Sequence, residues 1–239
     1  MLEIRNLSKI YPNGKQALDS LSLTIGPGEL IGFIGPNGAG KTTALRIITG
    51  IIPPTSGEVL LGGHSITEEP VEAKKGFAFV PDHPEIYQGL RGIQYLNFLG
   101  DIYEVEPALR KERVERYARL FQIEEALNQK ISSYSHGMKQ KLLITGALLP
   151  QPPLFILDEP HVGLDPHSAK VLKDLMEEHC EKGGSVLFSS HVLEVVENLC
   201  HKVAILHKGR LLAYDTLTAI KADSSLSLEE IFLEMTEDE

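Results

Sequence analysis

The chain has 239 residues, 42% of them hydrophobic, with 23 Lys plus Arg against 33 Asp plus Glu and a net charge of −10. At roughly 150 residues per domain, that length makes one large domain with an inserted part, and the acidic balance argues against a nucleic-acid partner, whose binding domains are usually basic. No run approaches the ~18 consecutive apolar residues of a membrane span, the first residues lack the apolar core of a signal peptide, and Cys180 and Cys200 have no metal-like spacing, so the expectation is a cytoplasmic protein with reduced thiols.

Short apolar runs alternate with helical patterns. Runs at 30–34, 59–61, 77–80, 154–157, 185–189 and 203–206 predict strands, and near-continuous apolar character suits strands buried on both faces. Helices are predicted near 41–49, 167–181 and 192–200. The alternation indicates an α/β fold around a mostly parallel sheet.

Between the first of these strands and the first helix, Gly35-Pro36-Asn37-Gly38-Ala39-Gly40-Lys41-Thr42 matches G-x-x-x-x-G-K-[ST]. Glycines let successive N–H groups curl inward as an anion nest, and the helix N-terminus adds the positive end of its dipole. Lys41 brings a mobile charge to β- and γ-phosphates, and the Thr42 hydroxyl is a Mg²⁺ ligand; Thr43 follows in the same turn.

From about 90 to 149 the alternation breaks. Val114, Tyr117, Ala118 and Phe121 share one helical face, and Pro107 is placed to begin that helix, so the stretch reads as an all-helical insertion. Arg110, Lys111, Arg113, Arg116 and Arg119, with Glu112 and Glu115 between them, read as a solvated face. The 154–157 strand ends in Asp158 and Glu159. Asp158 is placed to hold Mg²⁺, directly or through water, and Glu159 to polarise the water that attacks a γ-phosphate. Near the end, Leu228, Ile231, Phe232 and Met235 form another helical face, opened by a Ser227/Glu230 capping box. The main domain is expected over 1–222, with a tail at 223–239 docked on it.

These features alone leave GTPases, kinases and many ATPases open. Tyr134-Ser135-His136-Gly137-Met138-Lys139-Gln140, upstream of Asp158 and followed by a helix-forming run to Leu149, narrows the choice. It resembles the L-S-G-G-Q signature of ABC-type ATPases, in the Y-S-x-G-M-K-Q form frequent in ABC-2-type exporters. Ser135 and the Gly137 backbone sit at a helix N-terminus, where an anion binds. Other residues match family landmarks in order. Tyr11 resembles the aromatic that stacks on adenine, Gly163-Leu164-Asp165-Pro166 the loop that lies across a dimer interface, and His191 the switch histidine that reaches the γ-phosphate.

The resemblance runs from Leu2 to about Tyr214. It implies a P-loop NTPase core with a mostly parallel sheet, an N-terminal antiparallel β portion and the inserted helical subdomain. It implies ATP and Mg²⁺ as ligands, and a homo- or heterodimer in which Ser135 and Gly137 meet the γ-phosphate of the partner's ATP. It further implies integral membrane permease subunits, which would hold the protein at the inner face of the cell membrane. The implied function is the ATPase subunit of a bacterial exporter of the ABC-2 or Ecs-like group; a non-transport ABC ATPase is the alternative. Two positions depart from the pattern. Asp82 stands where the family has a glutamine that touches Mg²⁺; it can ligate a cation but donates no hydrogen bond. His136 replaces the signature's first glycine and either meets nucleotide or points outward. Ile86 and Tyr87, in the segment from Asp82 to Leu90, either line a permease groove or belong to the core.

Overall fold

A computed structural model describes residues 1–83, 86–221 and 226–237. The first half runs β1 (Leu2–Ile10), β2 (Gln16–Ile25), β3 (Leu30–Ile34), α1 (Lys41–Ile48), β4 (Ser56–Leu61), β5 (His64–Ser65), α2 (Pro70–Lys74) and β6 (Phe77–Val80). The insertion supplies α3 (Gly92–Ile102), α4 (Pro107–Leu120) and α5 (His136–Leu148). Then come β7 (Leu154–Asp158), α6 (Pro166–Glu181), β8 (Ser185–Ser190), α7 (Leu193–Leu199), β9 (Lys202–His207), β10 (Arg210–Thr216), α8 (Leu217–Lys221) and α9 (Leu228–Glu237).

Two sheets form. The first is antiparallel, in the order β2-β1-β4-β5, and buries Leu2, Ile4, Leu21, Leu23 and Val59 on one face. The run at 59–61 therefore belongs here and not in the parallel sheet: Val59 and Leu61 are buried while Leu60 between them is half-buried, the alternation of a one-faced strand. The second sheet has the order β10-β9-β3-β8-β7-β6, parallel from β9 to β6, with β10 as its antiparallel edge. Every residue of β3, β7 and β8 is buried. Their carboxyl ends lie side by side, the place where open α/β sheets put ligands.

The insertion packs its predicted face, Val114, Tyr117, Ala118 and Phe121, into the core with Leu96, Leu142 and Ile144. Pro107 starts α4, whose cap is the Glu106 carboxylate accepting from the Leu109 N–H at 2.9 Å. The basic residues on α4 do more than face solvent. Arg110 pairs with Asp101 of α3 at 2.6 Å, Arg113 donates to the Leu149 carbonyl after α5, and Arg116 pairs with Glu178 of α6 at 2.6 Å. Their charged heads reach neighbouring elements, so α4 is stitched to three helices.

The capping box of α9 forms, with the Ser227 N–H donating to Glu230 at 2.7 Å and the Glu230 N–H to Ser227 at 3.2 Å. Leu228 and Ile231 are buried and α9 packs on α7. The expected division between 222 and 223 lies outside the described residues. Cys180 and Cys200 are free and buried, and burial pushes the Cys180 thiol up to about 11 and that of Cys200 higher still. Among the described residues no helix is long and apolar enough to cross a membrane.

Helix α7 lies so close to β3 that a Cβ on Gly32 would stand 2.5 Å from Val196 Cγ1 and 2.9 Å from Cys200 Sγ. Gly32→Ala is expected to push α7 off the sheet and lower stability by about 1–3 kcal/mol, read as a lower urea midpoint. An unchanged midpoint would mean that the helix is not seated there.

Candidate functional site

The loop from Gly35 to Gly40 carries the chain from the end of β3 into α1. Gly40, the N-cap of α1, has φ 110, a conformation that glycine adopts without strain. A Cβ there would also stand 2.6 Å from the Ala17 carbonyl oxygen. Glycine brings no side-chain acceptor to the cap, so the first N–H groups of α1 are left to a ligand. They face a cleft of about 260 Å³ lined by Tyr11, Lys15 and Ala17, by residues 36–43, and by Asp82 and Glu159. Gly35 lies behind it, its carbonyl accepting from Lys41 Nζ at 2.5 Å; the Pro36 carbonyl is 3.4 Å from the same ammonium. Burial lowers the Lys41 pKa, opposed by the charges of Glu159 and Asp158. Tyr11 is held beside α1, with its hydroxyl 3.3 Å from the Thr43 hydroxyl and Lys9 over its ring at 5.6 Å.

The carboxyl end of β7 faces this loop. Asp158 is 2% exposed and accepts a 2.5 Å hydrogen bond from the Ser189 hydroxyl. Burial raises its pKa, as do the Asp82 and Glu159 carboxylates, while the Ser189 and Thr42 hydroxyls hold it down by hydrogen bonding. Glu159 takes a left-handed backbone conformation, φ 48, with its N–H donating to Ser189 Oγ at 3.0 Å. Its Oε2 meets His191 Nδ1 at 2.8 Å. Asp82 lines the cleft, with its Oδ1 accepting from the His83 N–H at 2.8 Å. Asp158, Asp82 and Thr42 offer hard oxygen donors; the charges of Asp158 and Glu159 act on the buried Lys41 ammonium, and that of Asp82 acts on Asp158. That excess of negative charge around oxygen ligands fits Mg²⁺.

Ser135, Gly137 and His191 do not line the cleft. Ser135 caps α5, its hydroxyl accepting from the Met138 N–H at 3.2 Å. The segment that follows presses on the loop after Glu159: a Cβ on Gly137 would stand 2.5 Å from the Gly163 carbonyl oxygen, and one on Gly163 would stand 2.5 Å from the His136 ring. His136 is exposed and does not line the cleft, and its ring lies against Gly163 of its own chain. Lys141 pairs with Asp165 at 2.7 Å, and Asp165 caps α6 through the Ser168 N–H at 2.9 Å. The Lys141 ammonium, followed by the Ser168 donors, holds the Asp165 carboxyl far below the usual carboxylate range. Ile86 packs on the core, whereas Tyr87 is 65% exposed with its ring edge-on to Phe98 at 6.0 Å.

Sequence reasoning missed two residues here. Ser189 bonds both Asp158 and the Glu159 backbone, and Lys15 lines the cleft beside Tyr11. The signal for Ser189 was a hydroxyl directly after the apolar run Val186-Leu187-Phe188 of a fully buried strand, where a polar group requires a partner.

The ABC transporter family model matches residues 18–162. The ABC-type transporter ATP-binding protein EcsA of Bacillus subtilis (strain 168) is 32% identical over 242 residues, covering 100% of this chain and 98% of EcsA. The SkfA peptide export ATP-binding protein SkfE of the same organism is 34% identical, over 89% of this chain and 87% of SkfE. Among solved structures, an ATP-binding subunit of an ABC transporter superposes with TM-score 0.94 at 34% identity, covering 98% of this chain and 99% of the other. A dimeric ATP-binding cassette in a post-hydrolysis state with ADP and Pi gives TM-score 0.82 at 25% identity, covering 91% and 99%. The chain thus belongs to the ABC transporter family, as an ATP-binding and ATP-hydrolysing subunit of the Ecs-like group.

The contact of Gly137 with Gly163 makes a prediction. Gly137→Ala forces the signature segment away from the 163 loop, outside the cleft itself. ATP affinity should stay within about twofold while turnover falls by at least about tenfold, the scale set by ångström-level misplacement. A fall in affinity that matches the fall in turnover would contradict the geometry.

Proposed function

We propose that this chain drives an exporter by binding ATP in the cleft between the 35–42 loop and the end of β7, and by hydrolysing it with Glu159 as general base. The observation that carries the reading is the Glu159–His191 pair at the cleft, within the field of the buried Lys41. Tyr11 stacks on the adenine. Main-chain N–H groups of Gly38, Gly40, Lys41 and Thr42 cradle the phosphates, with Gly35, Pro36, Asn37, Ala39 and Thr43 shaping the loop, the Ala39 N–H donating to the Pro36 carbonyl at 3.1 Å. Lys41, now solvated by two carbonyls, exchanges them for β- and γ-phosphate oxygens. Thr42, Asp158 and Asp82 would hold Mg²⁺, which neutralises phosphate charge when bound. Glu159 accepts a proton from the attacking water. His191 fixes the Glu159 carboxylate through Nδ1 and turns its other nitrogen to the γ-phosphate.

Ser135 and Gly137, at a helix N-terminus outside the cleft, then serve the ATP of a second subunit, identical or homologous. The solved cassette dimer supports that arrangement. Differential affinity of ATP for closed and open dimers is what moves the partners. Those partners are integral membrane permease subunits, which keep this chain cytoplasmic and peripheral at the inner face of the membrane. The exposed Tyr87, Phe98 and Ile102 suit the docking of an apolar permease segment. Residues 1–222 are proposed as the ATPase unit, followed by a tail at 223–239 in which helix α9 braces α7. The likeness to SkfE supports export as the direction. No nucleic-acid partner is proposed.

Lys41→Ala tests the cleft. Removing the one side-chain ammonium placed on the phosphate loop should weaken ATP binding by at least about tenfold, a loss of one charge-assisted contact or more, in a calorimetric titration. Unchanged affinity would place the nucleotide elsewhere.

A further inference from the structure

We infer that Ser189 is a positioning residue for ATP hydrolysis, because one hydroxyl sets both the carboxylate of Asp158 and the backbone turn that aims Glu159. The inference rests on the reading of Glu159 and Asp158 given above.

The parallel ladder between β7 and β8 pairs Leu154 with Ser185 and continues, rung by rung, to Asp158 opposite Ser189. There it stops. The next main-chain donor, the Glu159 N–H, goes to the Ser189 hydroxyl at 3.0 Å and not to a carbonyl of β8. That hydroxyl has a single proton, which it gives to Asp158 Oδ1 at 2.5 Å. A serine hydroxyl donates once and accepts twice, so the two bonds are compatible and each strengthens the other. Ser189 is fully buried, with no water surface to offer either group in its place.

The geometric consequence falls on Glu159. A ladder that ran one rung further would keep Glu159 extended, with its side chain directed by the pleat. Ending the ladder on a side chain frees the backbone to adopt φ 48, a conformation that costs a non-glycine residue energy and persists only when its surroundings impose it. In that conformation the Glu159 carboxylate lines the phosphate cleft and meets His191. The adjoining residue completes the arrangement: Ser190 Oγ accepts from the Val192 N–H at 3.0 Å and closes the bend that presents His191. The end of β8 thus holds the metal-ligand carboxylate of Asp158, the general base Glu159 and the switch histidine His191 together, and Ser189 is the hub.

The test separates positioning from folding. Ser189→Ala removes the hydroxyl without adding bulk. Its kcat for ATP should fall by about 10–100-fold, the usual loss when a partner that orients a metal-site ligand is removed. ATP affinity in the absence of Mg²⁺ should stay close to that of the parent, while the urea midpoint falls because the buried Asp158 carboxylate and the Glu159 N–H each lose a partner; turnover is therefore compared on protein shown to be folded in the absence of denaturant. Ser189→Thr keeps the hydroxyl and should recover most of the lost kcat. A kcat within about twofold of the parent in Ser189→Ala would overturn the inference. So would a Ser189→Thr protein that folds as the parent does yet is as slow as Ser189→Ala. Parallel assay of Glu159→Gln keeps the two readings apart: if Glu159→Gln retains turnover, the general-base assignment fails, whereas an inactive Glu159→Gln beside a fully active Ser189→Ala removes only the role of Ser189.

Discussion

Burying a carboxylate costs several kcal/mol in its ionised form unless charge or hydrogen bonds offset it, and this chain buries one, Asp158, at the end of β7. Asp158 sits behind the phosphate cleft with the hydroxyls of Ser189 and Thr42 as direct partners and two further carboxylates nearby. The surrounding fold supplies the conditions for that burial. Strands β3, β7 and β8 are buried along their whole length, so their ends define a fixed platform. Lys41 brings one ammonium into the same low-dielectric region, where burial lowers its pKa and the carboxylates oppose the shift. A site with surplus negative charge and a loop of open N–H groups is poised for a phosphate that arrives with its cation.

Transmission from the helical insertion uses different chemistry. The start of α5 touches the loop after Glu159 through the His136 ring on Gly163, and Lys141 reaches the cap of α6 at Asp165. Lys141 is 13% exposed but Asp165 is 48% exposed, so the pair is open to solvent on the carboxylate side and its contribution is that of a surface pair. Arg110, Arg113 and Arg116 then fix α4 to α3, α5 and α6. The insertion is thereby fastened to the segment that follows Glu159. At the opposite end α9 packs on α7, the helix that follows His191.

Much of this was legible in the residues because its signals are local. The phosphate loop, the apolar run ending in Asp158 and Glu159, the helical face at Val114 to Phe121 and the Ser227/Glu230 box each declare themselves within a few residues. Features decided by register across the chain were not. The run at 59–61 is apolar enough for either sheet, and only pairing with β1 places it in the antiparallel one. The arginines of α4 look like a solvated face until the helices opposite them are known. Ser189 reads as an ordinary strand residue until β8 is seen to lie beside β7 with Asp158 in register. The contact of the His136 ring with Gly163 likewise depends on a fold that brings two distant segments together.

The central claim is that the cleft and the signature segment are two halves of one ATP site, completed between subunits, with Glu159 performing the chemistry. Sedimentation velocity of Glu159→Gln with and without Mg-ATP, alongside its turnover, tests this most directly. The account predicts no measurable turnover and a shift from monomer to dimer on adding ATP, a shift that disappears when Ser135 is also replaced by a bulky residue. A Glu159→Gln protein that hydrolyses ATP at the parent's rate, or one that stays monomeric with ATP bound, would contradict it.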